Sequence, residues 1–358
     1  MRKFWSPAFQ DLRPYVAGEQ LAIPDLIKLN TNENPYPPSP AALAAIRTAA
    51  NADLRLYPDP EGLALRRALA KRHGLSTDQI FVGNGSDEVL ALAFLALLRQ
   101  PRPILFPDIT YSFYPVYCQL YGIGYINPPV DADYRIRTED YRHDNGGIVL
   151  AHPNAPTGRA LELPNLRALL EYNTGSAVIV DEAYVDFGAD SVVSWIREFP
   201  QLLVIQTLSK SRALAGLRVG FAFGDSNLIE ALRTAKDSFN SYPLDRLALA
   251  GAVAAIEDEP YFERMRHHVM ESRTRLTRGL EQMGFAVIPS HANFVFATHP
   301  RYDAAKLQAE LRQRNVLVRH FAKPRIDQHL RISVGTDTEC DILLARLSEI
   351  LGESAVSR

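Results

Sequence analysis

Lys210 stands in TLSKSRALAGLRVGF (Thr207–Phe221), directly after the hydroxyls of Thr207 and Ser209 and eight positions before Arg218. An amine that can shed its proton near neutral pH, beside hydroxyl donors and a fixed guanidinium, suits a carbonyl cofactor that carries a phosphate. In that reading Lys210 forms the imine, while Thr207, Ser209 and Arg218 hold the phosphate. A lysine following a strand is ordinarily a solvated charge. The reading therefore needs other segments to supply the remainder of such a site.

Three segments do. FVGNGSDE (Phe81–Glu88) reads as a strand turning into a helix, with Gly83 and Gly85 permitting the tight turn. The amides of Gly85, Ser86 and Asp87 would then open outward as an anion site, although a plain helix cap by Ser86 or Asp87 fits the same residues. VIVDEAYVDF (Val178–Phe187) places Asp181 at the carboxyl end of a very apolar strand. A carboxylate there needs a cationic partner, and a protonated pyridine nitrogen is one; Tyr184 would reach that ring's phenolic oxygen. A divalent metal on Asp181 and Glu182 is the rival reading, but neighbours on an extended strand face opposite ways. HPNAPTG (His152–Gly158) is a proline turn after another strand, with room for a cis bond before Pro156 and with Asn154 able to donate to a ligand oxygen.

The elements that must position these residues alternate. Strand-like runs at 80–82, 104–106, 122–126, 148–151, 178–180, 202–206 and 219–222 are interleaved with helical patterns at 87–99 and 163–172. This predicts an α/β layer with a largely parallel central sheet, whose strand carboxyl ends form the ligand crevice. Helices are also expected at 41–50, opened by Ser39-Pro40, and at 61–73, closed by Gly74. After Leu228 come helical stretches at 231–236, 244–256 and 261–283, then short strands and helices that predict a smaller α+β domain. The expected division is a proline-rich N-terminal arm (1–40), a large α/β domain (41–255) and a small α+β domain (256–358).

The bulk properties are those of an ordinary globular chain of 358 residues, 47% hydrophobic and 22% charged. With 39 basic and 41 acidic residues there is no field to recruit nucleic acid or an anionic membrane. Two cysteines, no apolar core in MRKFWSPAFQDL and no apolar run longer than 89–98 lead to the expectation of a reduced, cytoplasmic protein. His267-His268 and His291 lack partners at metal-ligand spacing, so no metal is expected.

Taken together, LNTNENPYPPSP, YPDPEG, GNGSDE, PDITYSFYPVY, PNAPTG, DEAYVDF, TLSKSRALAGLRVGF, SYPLDRLA, ANFVF and LRISVGT run in order from Leu29 to Thr336. In these segments the chain resembles the fold-type I pyridoxal-phosphate enzymes, and within them the histidinol-phosphate aminotransferases. The resemblance implies pyridoxal 5'-phosphate as cofactor and reversible transamination of histidinol phosphate with 2-oxoglutarate. It implies Lys210 as imine lysine and proton carrier, Asp181 on the pyridine nitrogen and Tyr184 on the phenolic oxygen. Tyr111 would stack on the ring, and Gly85, Ser86, Asp87, Thr207, Ser209 and Arg218 would hold the phosphate. Tyr57 would reach the partner's cofactor in a homodimer with shared sites, Arg319 and Arg331 would meet the substrate's anionic group, and Tyr15 and Tyr242 would line its pocket. An aromatic amino-acid aminotransferase, a threonine-phosphate decarboxylase and a non-catalytic pyridoxal-phosphate regulatory module are the alternatives. Two departures stand out: Ala155 precedes Pro156 where relatives carry asparagine, and prolines replace a usual glycine after Asn34.

Overall fold

In the computed structural model, residues 3–6, 9–16, 18–21 and 23–352 are described. The chain begins with β1 (Ile27–Leu29), α1 (Pro40–Ala49) and α2 (Leu63–His73), then β2 (Ile80–Asn84), α3 (Gly85–Ala93), β3 (Ile104–Leu105), α4 (Tyr114–Tyr121) and β4 (Tyr125–Ile126). It continues through β5 (Ile148–Ala151), α5 (Leu163–Tyr172), β6 (Val178–Asp181), β7 (Leu202–Thr207), β8 (Val219–Gly224), α6 (Ser226–Asp237) and α7 (Arg246–Glu257). Last come α8 (Glu259–Gln282), β9 (Ala286–Ile288), β10 (Phe294–Thr298), α9 (Ala304–Gln313), β11 (Val316–His320), β12 (Leu330–Ser333) and α10 (Asp337–Leu351).

Seven strands form the central sheet in the order β2-β8-β7-β6-β5-β3-β4. All run parallel except β8, which is antiparallel to both neighbours. The reason is local: residues 208–218 between β7 and β8 hold one 3₁₀ turn, too little chain for a parallel crossover. Successive residues of the inner strands point to opposite faces. Val178, Val180 and Val204 join one core with α2, α5 and α7, while Ile179, Leu203 and Ile205 join another with α3, α4 and α6. Because both faces are covered, these strands read as unbroken apolar runs rather than as alternation.

The second sheet has the order β1-β11-β12-β10-β9, with its own core against α8, α9 and α10. β1 comes from the first forty residues, expected only as an arm; it pairs parallel with β11, Leu29 opposite Val318. The loop that follows β1 thereby enters the crevice. α1 starts where expected, with the Ser39 hydroxyl accepting from the amides of Ala41 and Ala42 and Pro40 in its first turn. α4 is an addition to the expected elements: Tyr114, Tyr117 and Cys118 form its buried face. The expected strand at 122–126 shrinks to Tyr125–Ile126, because Gly122 takes a left-handed conformation to close α4.

Candidate active site

The carboxyl ends of β5, β6 and β7 stop on one edge of the central sheet, and the amino terminus of α3 joins them there. Between this edge and the second sheet lies a cavity of about 630 Å³. Ser86, Asp87, Tyr111, Asp181, Tyr184, Thr207, Ser209, Lys210, Arg218, Tyr15, Arg319 and Arg331 all border it. Residues separated by more than 300 positions in the chain thus share one space.

Lys210 follows β7, whose six residues are all buried. The loop after it is closed by the amides of Leu208 and Leu214, bonded to Val219 O and Leu208 O. The Lys210 ammonium has one long contact, to Thr31 O at 3.4 Å, and stands 5.6 Å from the Tyr184 ring centre. Among the described residues no carboxylate lies within ion-pair distance of it, so nothing ties the amine down.

Asp181 is nearly sealed from solvent, at 6% exposure. Tyr114 Oη donates to its Oδ2 at 2.8 Å and the Ala183 amide to its Oδ1 at 3.2 Å. Burial pushes its pKa up to about 6, against the lowering effect of those two donors and of the Lys210 charge. A carboxylate buried without a cationic side chain on it is costly unless something supplies the positive partner. The adjacent Glu182 turns to the other side of the strand end, where Ser191, the Val192 amide and Gln206 donate to it. The two carboxylates therefore do not form a metal pair.

The start of α3 is backed closely by β8. A methyl group at Gly220 would come within 2.3 Å of the Ser86 nitrogen, and one at Gly85 within 2.5 Å of Arg218 Nη2. Gly85 itself has φ +79, a conformation open to glycine. Arg218 donates to Asp87 Oδ2 at 3.0 Å, and Tyr111 Oη donates to Asp87 Oδ1 at 3.0 Å. The Asp87 carboxylate thus orients a guanidinium and a phenol, leaving anion binding to the α3 start, the Thr207 and Ser209 hydroxyls and Arg218. Thr207 Oγ1 is bonded to Ser209 Oγ at 3.0 Å, which fixes the pair at the cavity wall.

At the opposite end, Arg319 and Arg331 project from β11 and β12, where they are direct cross-strand partners. Among the described residues neither has an acidic side chain within 4 Å. Arg331 donates to Asn30 O at 2.7 Å, lies 5.5 Å from the Phe294 ring, and keeps an Nε that is cut off from solvent and unpartnered. Burial lowers its pKa, as expected for a cation lacking a counter-ion. The cavity therefore has an anion cradle at one end, two unpaired guanidinium groups at the other, and a free amine with a buried carboxylate between.

Residues 24–347 match the aminotransferase class I and II family. The chain belongs to that family. It is 60% identical over 357 residues to histidinol-phosphate aminotransferase 1 of Methylococcus capsulatus, covering 100% of both chains. It is 57% identical to histidinol-phosphate aminotransferase 2 of Rhizobium meliloti, covering 98% of this chain and 100% of that one. Among solved structures, a histidinol-phosphate aminotransferase from Sinorhizobium meliloti in complex with pyridoxal-5'-phosphate superposes with a TM-score of 0.87 at 26% identity, covering 98% of each chain.

In this aminotransferase four expected site residues do not border the cavity: Gly85, at the turn behind Ser86, and Asn154, Tyr57 and Tyr242. Asn154 is fully buried beneath it, with Nδ2 donating to Ile109 O and Thr157 Oγ1 and Oδ1 accepting from Thr110. Its amide is consumed in holding the turn, where both the His152–Pro153 and Ala155–Pro156 bonds are cis. Tyr57, at 78% exposure, and Tyr242, at 42%, instead stack on each other at the surface, 4.7 Å between ring centres. Tyr15 does border the cavity, stacked on Phe113 at 4.7 Å. Tyr114, which anchors Asp181, was not among the expected site residues; its spacing with Tyr117 and Cys118 marks a buried helix face and nothing more. Asn30, Thr31 and Asn32 also border the cavity, from a segment read as part of an arm and as a family-like motif but given no site role.

Proposed function

We propose that the chain transfers an amino group between L-histidinol phosphate and 2-oxoglutarate, with pyridoxal 5'-phosphate as cofactor, yielding imidazole acetol phosphate and L-glutamate for histidine biosynthesis. The observation that carries this reading is the single cavity holding an unpaired amine, an uncompensated buried carboxylate and two separate anion sites. The residues fit the cofactor. The α3 start, Thr207, Ser209 and Arg218 suit its phosphate, Asp181 suits a ring nitrogen that carries a proton, and Tyr184 suits a ring oxygen. Pyridoxal phosphate supplies an electron sink for the charge left when a proton departs from the donor's α-carbon.

The chain's own groups do the rest. Lys210 would hold the cofactor through its Nζ, and the same amine would carry the proton away from the donor's α-carbon. Asp181, kept from water, retains positive charge at the ring nitrogen. Arg319 and Arg331 bind the phosphate of one substrate and the distal carboxylate of the other, which explains how one pocket accepts both. Tyr15 and Tyr111 close the aromatic wall. Relatives that cover the full chain at 55–60% identity carry the name of this reaction.

Leu54, Leu56, Tyr57, Phe239 and Tyr242 are exposed apolar side chains, and Tyr57 and Tyr242 stack on each other; we read them as one surface. We propose that a second copy of the chain covers it, bringing Tyr57 to the neighbouring cavity. The test of the main reading is to incubate the purified protein and pyridoxal phosphate with histidinol phosphate and 2-oxoglutarate. Stoichiometric glutamate supports it; carbon dioxide from a phosphorylated amino acid, or glutamate only from aromatic donors, overturns the substrate.

A further inference from the structure

The segment Thr31-Asn32-Glu33-Asn34 follows β1 and enters the cavity wall, yet the reaction as derived gives it no task. Its contacts are specific. Thr31 O faces the Lys210 amine, Asn34 Nδ2 donates to Lys210 O at 2.9 Å, and Asn32 Nδ2 donates to Tyr184 Oη at 3.0 Å. Asn32 is 1% exposed and sits at φ +55, a backbone conformation that asparagine tolerates better than most residues.

The direction of these hydrogen bonds follows from counting protons. Ser333 Oγ accepts the Asn32 backbone N–H at 2.9 Å and donates its one hydrogen to Asn32 Oδ1, also at 2.9 Å. With Oδ1 so placed, the amide nitrogen faces Tyr184, and Tyr184 Oη accepts from it. Asn293 Nδ2, donating to Asn32 O at 3.0 Å, holds the backbone in place. The phenol's own hydrogen finds no acceptor among the described residues, and its cavity neighbours Lys210 and Arg331 carry only donors. It points into the cavity.

Across from it stands Ala155, which has no donor, and the amide of Asn154 is committed elsewhere. We propose that Asn32 is a positioning residue that aims the Tyr184 hydroxyl proton at the cofactor's ring oxygen, and that the Asn32–Tyr184 pair does in this chain what a second side-chain donor at position 155 would otherwise share. This rests on the pyridoxal-phosphate reading above. A donor on that oxygen holds negative charge there and so eases loss of the proton from the Lys210 nitrogen. The pH at which the visible band of the bound cofactor changes reports that proton directly.

The experiment titrates that band in the holoenzyme for the parent, Asn32→Gly, Tyr184→Phe and the double variant. Glycine keeps the left-handed backbone without strain. Asn32→Gly is expected to raise the midpoint by about half to one pH unit, the worth of one hydrogen bond between neutral groups. Tyr184→Phe should raise it at least as far, and the double variant no further than Tyr184→Phe alone. Ser333→Ala, which frees the amide to turn, should shift the midpoint the same way by less, and it decides the matter if Asn32→Gly does not fold. An unmoved midpoint in the variant that decides, or shifts of Asn32→Gly and Tyr184→Phe that add, overturns the role of Asn32 while leaving the cofactor reading intact. A parent protein that shows no such band removes the ground of both.

Discussion

Arg319 and Arg331 face each other directly across the β11–β12 ladder, two like charges in register with no carboxylate against either among the described residues. Direct like-charge pairs across a ladder weaken it, and a partly buried guanidinium without a counter-ion adds a desolvation cost. An arrangement that is unfavourable in the empty protein becomes favourable once a doubly charged group bridges the pair. Arg331→Met is therefore expected to lower kcat/KM for histidinol phosphate by about 10²-fold or more, roughly 3 kcal/mol, without lowering the Tm of the ligand-free protein. Inorganic phosphate should raise the Tm of the parent and leave that of the variant unchanged. Steady-state kinetics and thermal melts with and without phosphate check both.

Asp181 gives the cofactor-free protein a pH dependence of definite sign. In the folded chain its carboxyl holds a proton up to about pH 6, while its ordinary value is 3.8. Between those values the folded state binds more protons than the unfolded one, so this group's contribution to stability falls as pH rises through that window and is level above it. Asp181→Asn removes the effect. The stability difference between variant and parent should grow from pH 4 to 6 and level off near ~3 kcal/mol, while transamination drops by about 10³-fold. Glu182, raised by burial to about 7, is common to both proteins and cancels in the difference. Denaturant melts across pH 4–8 read the result.

Asn154 is expected to matter for the fold more than for the chemistry. Two of its side-chain hydrogen bonds join the turn after β5 to the segment at Ile109–Thr110, and a third, to Thr157 Oγ1, holds the turn itself. Asn154→Ala should cost about 2–3 kcal/mol of stability in urea titration. The spectrum of bound pyridoxal phosphate should stay where it is.

The surface patch gives a prediction about assembly. Leu54→Asp with Phe239→Asp places two charges on it, and sedimentation should show a dimer in the parent and a monomer in the variant. Activity should fall with protein concentration in step with dissociation, since Tyr57 would no longer reach a neighbouring cavity.

Much of this site was legible because it follows strand ends. Val178–Asp181 and Leu202–Thr207 are buried on both faces, so their runs were unmistakable, and Lys210 and Asp181 inherited their positions. Gly85 and Gly220 mark where α3 presses on β8; both lie in the quoted motifs, but only Gly85 had a turn to explain it in the sequence. What stayed hidden depended on partners remote in sequence. β1 is three residues long and earns its place by pairing with β11, almost 290 positions away. Asn154 and Asn32 are both asparagines beside a turn, and which of them meets the cavity was settled by packing around Thr110 and Ser333. Tyr57 and Tyr242 stack on each other away from this chain's cavity, and the place proposed for Tyr57 needs a second copy that one sequence does not display.

The most direct measurement of the account is to reduce the pyridoxal-phosphate-loaded protein with borohydride and map the attached group by peptide mass spectrometry. Attachment at Lys210, abolished by Lys210→Ala together with turnover, is the predicted result. Attachment at another lysine, or none in a protein that still transaminates, would contradict it.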